Sequence, residues 1–447
     1  MNLATPSGSI LFVHPRHRYF GRDNQLPIGV IALANSLGGN ARGVFARELR
    51  DDHFRQAKIL LMDVHWFFAL ESAMQIAARA KRVNPQIEII VGGYSATIFA
   101  AELLARSPID FVVRGDNEKP LPLLVDALLR DADPAGIPNV AGKNFKEPLS
   151  YQLTREDYDA GDYLTIDWFP ALDRLARAMH RIPYPTWVYP FIPVFKGCKF
   201  PCDYCLGNPR AQRILCGRGI VSRSPIRVVE DLRRVEAAPH LRRAYIIADF
   251  IHVLEKDYAE PILSQRFKLD LYYEFYRIPR PEDVRRLAAS FRRLFLGYFF
   301  IRNHGNVAAE KSEVESLLQA AATAREVDAE LAVNVHLRGL RDAPEMNRLL
   351  VQVHRRHPWI NLIDSSLWDF PMPPAEHVLE PRPETYDRFR ALSAKERWKW
   401  RVREWLVAKF FAGPRRHRLL FRLNSRFVAA RLKWRAAPAA AERYPNK

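Results

Sequence analysis

The sequence predicts an α/β chain with two regions of alternating strands and helices and a basic helical tail. Three observations carry that reading. Short apolar runs alternate with helix-period segments between residues 9 and 130, the rhythm of a parallel sheet with helices on both faces. A second alternation runs through residues 188–375, after a proline-rich approach. Residues 384–447 hold 18 Lys and Arg against five Asp and Glu, a surplus of 13 within a net charge of +18.

In the first region, residues 1–140, the run 9–14 is a buried strand that stops at Pro15. Residues 26–37 read as a helix, with Pro27 near the start and Gly38-Gly39 behind it. Further strands are expected at 58–63, at 87–91 before Gly92-Gly93, and at 111–113 before Arg114-Gly115-Asp116. Helices are expected at 72–83, 99–105 and 121–129. Ligands of such sheets bind beyond the carboxyl ends of the strands. The loops there are 15–23, 64–70, 92–97 and 114–119. Gly92 and Gly93 would let a large planar ligand approach the backbone. No G-x-G-x-x-G stands after the first strand, and there is no Walker loop.

Residues 141–187 read as a connector with a helix near 169–179, and Pro183, Pro185, Pro190 and Pro193 stiffen the approach to the cysteines. In the second region, residues 188–375, strands are expected at 189–194, 244–248, 269–276, 293–300, 330–335 and 359–363. Helices at 226–236 (behind Ser224 and Pro225), 281–291, 313–327 and 344–354 alternate with them. Active sites on such sheets lie at the carboxyl ends of the strands. The cysteine loop, Asp249, Tyr276-Arg277, Arg302-Asn303, His336 and Asp369-Phe370 fall there.

The 447 residues suffice for two or three domains, and 48% are hydrophobic, enough for ordinary cores. Apolar stretches are far too short to span a bilayer, and the first nine residues lack the blocks of a signal peptide. Cytoplasm is the expected compartment.

Cys198, Cys202 and Cys205 stand in Gly197-Cys-Lys-Phe-Pro-Cys-Asp-Tyr-Cys-Leu206, a C-x3-C-x2-C spacing. Three thiolates on one loop can hold three irons of a 4Fe–4S cluster and leave the fourth open to a small molecule. Structural zinc is a second reading, with Cys216, His180 or His240 as the fourth ligand, although there is no second C-x2-C pair. Scattered buried thiols are a third, and Cys216 itself reads as a small buried hydrophobe. Disulfides do not suit a cytosolic chain.

The cysteine spacing resembles that of the radical S-adenosylmethionine enzymes. The strand order and the segments Pro27–Leu33, Val91-Gly-Gly93 and Arg114-Gly-Asp-Asn-Glu118 resemble the cobalamin-binding domain that many of them carry. The resemblance implies a Rossmann-like parallel sheet of cobalamin-binding type, then a partial (β/α)6 TIM-like radical S-adenosylmethionine barrel. It implies three cofactors: a 4Fe–4S cluster on Cys198, Cys202 and Cys205, S-adenosylmethionine, and cobalamin near Gly92 and Gly93. By the same resemblance Tyr204 lies beside the adenine and Asp249 meets the ammonium of S-adenosylmethionine. Residues 297–302 depart from the usual ribose-contacting segment, and residues 368–374 resemble the turn that closes the barrel. The loop Pro15-Arg-His17-Arg-Tyr-Phe-Gly21 departs from the D-x-H-x-x-G of other cobalamin proteins, so no protein histidine is expected on cobalt. The implied activity is methylation of an unactivated carbon of a small or lipid-like intermediate through a 5′-deoxyadenosyl radical. Cyclisation or ring rearrangement is the alternative, and a non-catalytic iron–sulfur carrier is the rival from another class. The implied partner is a one-electron donor such as flavodoxin or ferredoxin.

In residues 376–447, Leu419, Leu420, Leu423, Phe427, Ala430 and Trp434 share one side of a helix, and Arg418, Arg422, Arg426 and Lys433 another. A basic amphipathic helix can lie on an anionic membrane surface, here the inner one, or pack on the barrel with its basic side solvated. Nucleic acid is not an expected partner, since no RNA-binding module is recognisable.

Overall fold

The computed structural model of the chain describes residues 9–16, 26–181, 189–202, 205–300, 308–335, 344–357, 359–364, 384–387, 390–391, 423 and 425–433. The chain divides into two compact units. The first comprises Met1–Ala178, Phe195–Ser224 and Met372–Leu406; the second comprises Met179–Val194, Pro225–Pro371 and Val407–Lys447. The cysteine loop thus belongs to the first unit, with the N-terminal sheet, and not to the strands and helices after it.

The first unit is built on six strands: β1 (Ile10–His14), β2 (Ala41–Phe45), β3 (Ile59–Asp63), β4 (Glu88–Gly92), β5 (Phe111–Val113) and β6 (Val140–Gly142). Their order is β2-β1-β3-β4-β5-β6, parallel except for the β5–β6 pair. All five residues of β1 and of β3 are buried, as central strands covered on both faces require. The four strands expected from sequence are present, and two edge strands join them. Gly43 of β2 accommodates the connector: a Cβ there would lie 2.6 Å from Phe169, and the Gly43 amide donates to the Trp168 carbonyl at 2.7 Å. Asn35 likewise donates to the Asp162 and Thr165 carbonyls. Much of the segment expected to be a connector is therefore part of this unit's packing.

Within residues 195–224, β7 (Phe195–Lys196) pairs antiparallel with β8 (Val221–Ser222). This two-rung hairpin base brackets the cysteine loop and the helix Pro209–Cys216.

The second unit carries β9 (Arg243–Ile246), β10 (Phe267–Phe275), β11 (Phe291–Phe300), β12 (Glu330–Val335) and β13 (Asn361–Asp364). All pair in parallel, and the order in the sheet matches the order in the chain. The expected strand at 189–194 contributes a single parallel bridge, Phe191 to Tyr245. Helices Pro225–Ala237, Pro281–Ser290, Ala308–Glu326 and Pro344–Arg356 connect successive regions. Parallel crossovers are right-handed, so helices joining strands laid down in one direction gather on one face.

Of the tail, residues 425–433 are helical. Val428 and Leu432 are buried, and Ser425 accepts from the Leu362 amide at 3.0 Å. Leu423 and Phe427, on the side expected to be apolar, are 46% and 52% exposed. The tail positions expected at 418–422 and at Trp434 lie outside the described residues. Among the described residues, no helix is long and apolar enough to cross a membrane.

Candidate functional site: a thiol tripod docked on a parallel sheet

Asn208 organises the cysteine loop. Its side-chain oxygen caps the helix Pro209–Cys216 by accepting from the Ala211 amide at 2.8 Å. Its side-chain nitrogen donates to the carbonyls of Cys202 at 3.0 Å and Cys205 at 2.7 Å. One residue thus fixes two of the three cysteine backbones against a helix end. Backbone amides are directed at sulfur: Phe200 to Cys198 at 3.5 Å and Gly207 to Cys205 at 3.3 Å. Burial, with Cys202 and Cys198 close by, pushes the Cys205 thiol up to about 11. Ionising this thiol therefore requires a positive centre, and a bound metal deprotonates a thiol outright.

These features fit an iron–sulfur cluster. Among the described residues, no three His, Cys, Asp or Glu converge on a point that could hold a single metal ion. Cys216 stands apart from the tripod in a small core with Leu215, Leu206, Tyr94 and Ile98, where burial pushes its thiol up to about 12. That is the buried hydrophobe expected of it. His180 is committed elsewhere: Nε2 lies 2.6 Å from the Tyr189 carbonyl oxygen and Nδ1 accepts from the Arg242 amide.

Two ion pairs dock this hairpin on the N-terminal sheet through the loop after β5. Asp116 takes Arg218 in a fork, Nε to Oδ2 at 2.5 Å and Nη2 to Oδ1 at 2.7 Å, with both side chains buried. Glu118 pairs with Lys196, two residues before the first cysteine. Burial opposes the Asp116 charge, but the hydrogen bonds from Arg218 and the charge of Lys196 outweigh it and hold the carboxyl below its ordinary value. Just before Asp116, Gly115 (φ +65°) lets the helix approach: a Cβ there would sit 2.9 Å from the Leu215 carbonyl oxygen. Gln212 donates to the Tyr94 hydroxyl at 3.0 Å.

Tyr94 belongs to the carboxyl edge of the same sheet. Gly92 and Gly93 stand there as expected, but they make room for the protein itself. A Cβ on Gly93 (φ +104°) would lie 2.8 Å from the His65 backbone, and one on Gly92 would lie 2.8 Å from Asn117 Nδ2. The His65 ring leans on Tyr94 with centroids 4.8 Å apart; burial, then Lys196, lowers it to about 4, so it is neutral. Asn117 Oδ1 is buried with no hydrogen-bond partner among the described residues. An orphaned acceptor beside aromatic and small residues fits a planar ligand rimmed with amide donors, as a corrin is.

In the second unit, Asp249 sits just past β9, caps the helix Phe250–Val253 and is fully buried. Its oxygens accept from the His252 amide (3.2 Å), the Tyr273 hydroxyl (2.9 Å) and the Tyr276 amide (2.7 Å), and lie 2.8 Å from His252 Nδ1. A carboxylate offers about four acceptor directions, and all are filled. Each of these directions is taken by a group of the chain itself. Burial disfavours a charged His252, but Asp249 and Asp283 carry it up to about 9. Tyr204, Arg302, Asn303, His336, Asp369 and Phe370 lie outside the described residues. Sequence reasoning missed Asn208 and the Lys196–Glu118 and Arg218–Asp116 pairs; the capping pattern Asn208-Pro209 was the available signal for the first.

No family model matches the chain. Among solved structures, it resembles the radical S-adenosylmethionine methyltransferase TsrM from Kitasatospora setae with cobalamin and a [4Fe-4S] cluster bound. The TM-score is 0.54 at 15% identity, covering 79% of this chain and 71% of that one. It also resembles the cobalamin-dependent S-adenosylmethionine radical enzyme OxsB, with a TM-score of 0.52 at 14% identity over 87% of this chain and 55% of that one. At these identities the likeness is one of fold. Of curated relatives, it is 27% identical over 219 residues to the anaerobic magnesium-protoporphyrin IX monomethyl ester cyclase of Rubrivivax gelatinosus, covering 44% of this chain and 38% of that one. It is 27% identical over 222 residues to the hopanoid C-3 methylase of Methylococcus capsulatus, covering 47% and 40%. The matches thus span about two-fifths of these relatives' length.

Asp116→Asn is expected to cost about 3–5 kcal/mol in urea unfolding at pH 7, because Arg218 is left buried without its counter-charge. Asp116 is held below its ordinary 3.8, so its contribution is full above that value and is lost as pH falls through the depressed one. The gap between variant and parent should therefore close in strong acid. His252→Asn should lower Tm by on the order of several degrees at pH 6. That contribution is full below 6.5 and lost as pH rises through about 9, so the difference should vanish by about pH 10.

Proposed function

We propose that the chain is a cobalamin-dependent radical S-adenosylmethionine enzyme that methylates a carbon of a small or lipid-like substrate. One observation carries this reading: the three-cysteine loop is docked by two ion pairs on the carboxyl edge of a parallel sheet, so two cofactor-type sites belong to one compact unit. When bound, the cluster supplies the electron that cleaves S-adenosylmethionine, and cobalamin supplies a transferable methyl group.

The residues of the chain have separable tasks in this reading. Cys198, Cys202 and Cys205 hold three cluster corners, and Asn208 with the Gly207 and Phe200 amides orients them. His65, Tyr94 and Asn117 face the planar ligand, with His65 neutral. Asp249 keeps the turn after β9 in shape. The singly wound sheet of the second unit supports reading it as a partial β/α barrel. Ring closure, the reaction named for the R. gelatinosus relative, is the alternative outcome on the same scaffold.

A peripheral membrane contact has one supporting observation. Leu423 and Phe427 are exposed beside Arg426 and Lys433, and apolar residues set among cations suit an anionic surface.

After anaerobic reconstitution, the parent is expected to hold about four irons and four sulfides per chain. It should convert S-adenosylmethionine to methionine and 5′-deoxyadenosine under a one-electron reductant. Alanine at position 198, 202 or 205 should abolish both, and Cys216→Ala should leave the iron content unchanged. Full iron loading of the triple variant would refute the tripod. With a true substrate, S-adenosylhomocysteine should accumulate for methyl transfer and should not for ring closure. Phe427→Glu should reduce flotation with vesicles containing phosphatidylglycerol, and unchanged flotation would remove the membrane contact.

A further inference from the structure

The second sheet has a buried face turned away from the helix Phe250–Val253. Residues paired across a parallel sheet point to the same side. The rows Tyr245–Tyr272–Phe295 and Glu274–Gly297–Ala332 therefore share a face. Tyr273, which alternates with them, meets Phe250 and Asp249 on the opposite, helix-covered side. Glu274 stands one residue before the carboxyl end of β10, where sheets of this kind place their chemistry.

Glu274 is 7% exposed and accepts one hydrogen bond, from the Tyr272 hydroxyl at 3.1 Å. Among the described residues its second oxygen meets neither a donor nor a cation. A buried carboxyl in that state is costly unless it stays neutral or meets a cation. Beside it stand two small residues, Gly297 and Ala332, and Ala332 is only half-buried although it lies on an interior strand. The Tyr272–Glu274 pair fills the space that a side chain at 297 would need: a Cβ there would lie 2.5 Å from the Tyr272 hydroxyl and 3.1 Å from Glu274 Cγ. The pair is thus held in place, with aromatic rings at 245 and 295 beside it.

We propose that Glu274 is a ligand-binding residue that receives an ammonium group, supplied either by S-adenosylmethionine or by the substrate. Asp249, the neighbouring strand-end carboxylate, has no acceptor direction left for that task. Aromatic faces beside a carboxylate favour a cation further. Burial pushes Glu274 up to about 8, against the Tyr272 bond, so the site waits in its neutral form at pH 7. The other ionisable groups described on this face are engaged elsewhere: Arg243 lies over Phe295, Asp270 pairs with Arg292, and Glu330 pairs with Arg293. Neither they nor the Tyr245 phenol act on Glu274. Arrival of an ammonium ion therefore converts a carboxylic acid and a cation into an ion pair and releases one proton to solvent. The proposal rests on the function above only for its first probe.

Calorimetric titration at pH 7 in two buffers of different ionisation enthalpy tests this on the full chain. The probes are S-adenosylmethionine, its analogue lacking the α-amino group, and n-butylammonium chloride. Close to one proton should be released per ammonium ligand bound, fading above about pH 9, where Glu274 is already ionised. Glu274→Gln should abolish the release and weaken binding at least tenfold. Release with S-adenosylmethionine and not with its deaminated analogue assigns the nitrogen to the cofactor. Release with butylammonium alone assigns it to the substrate. No release with either ammonium probe overturns the proposal, whatever the variant does. Failure of S-adenosylmethionine to bind at all counts against the enzyme reading instead, and the butylammonium arm still decides Glu274.

Discussion

The Asp116–Arg218 pair is the constraint on which the first unit depends. Both groups are out of water, so their attraction mostly repays their own desolvation and adds little net stability. Its value is positional. A forked guanidinium–carboxylate contact admits one geometry, and this one joins residues 102 apart in sequence. With Lys196 held by Glu118 at the other foot of the hairpin, the thiol loop has one register against the sheet edge. Tyr94 then touches both parts, leaning on His65 on one side and bonded to Gln212 on the other.

The second unit treats its carboxylates in two opposite ways. Asp249 is saturated by four partners and braces a turn; Glu274 has one partner and is kept neutral by burial. Groups that serve structure are fully bonded inside proteins, and those left short of partners concentrate where a ligand completes them. The contrast matters because one residue follows β9 and the other lies on the neighbouring β10, and the two look alike in sequence.

Much of this was legible in the sequence. The apolar runs of β1, β3 and β4 are long and unbroken, so their strands were expected, and the C-x3-C-x2-C spacing marked the thiols directly. β2 was not legible, because Arg42 and Gly43 interrupt its pattern and its pairing depends on Trp168 and Phe169 far along the chain. The Gly92-Gly93 step was legible as a close approach to the backbone, whereas the neighbours His65 and Asn117 were not. Asp249 was placed correctly at a strand end, and its saturation was invisible because three of its four contacts come from side chains or a distant amide. The docking pairs were unreadable for the same reason. Charge pairs at long separation leave no periodic trace.

Residues 195–224 come after a segment expected to be a mere connector, yet they fold with the N-terminal sheet. Anyone recombining this scaffold with a related one inherits that arrangement. A crossover between residues 142 and 194 would give Asp116 and Glu118 to one parent and Arg218 and Lys196 to the other. Breakpoints that keep the hairpin with its acidic loop would have to be placed in pairs, so modular exchange here is a matter of insertion and not of end-to-end fusion.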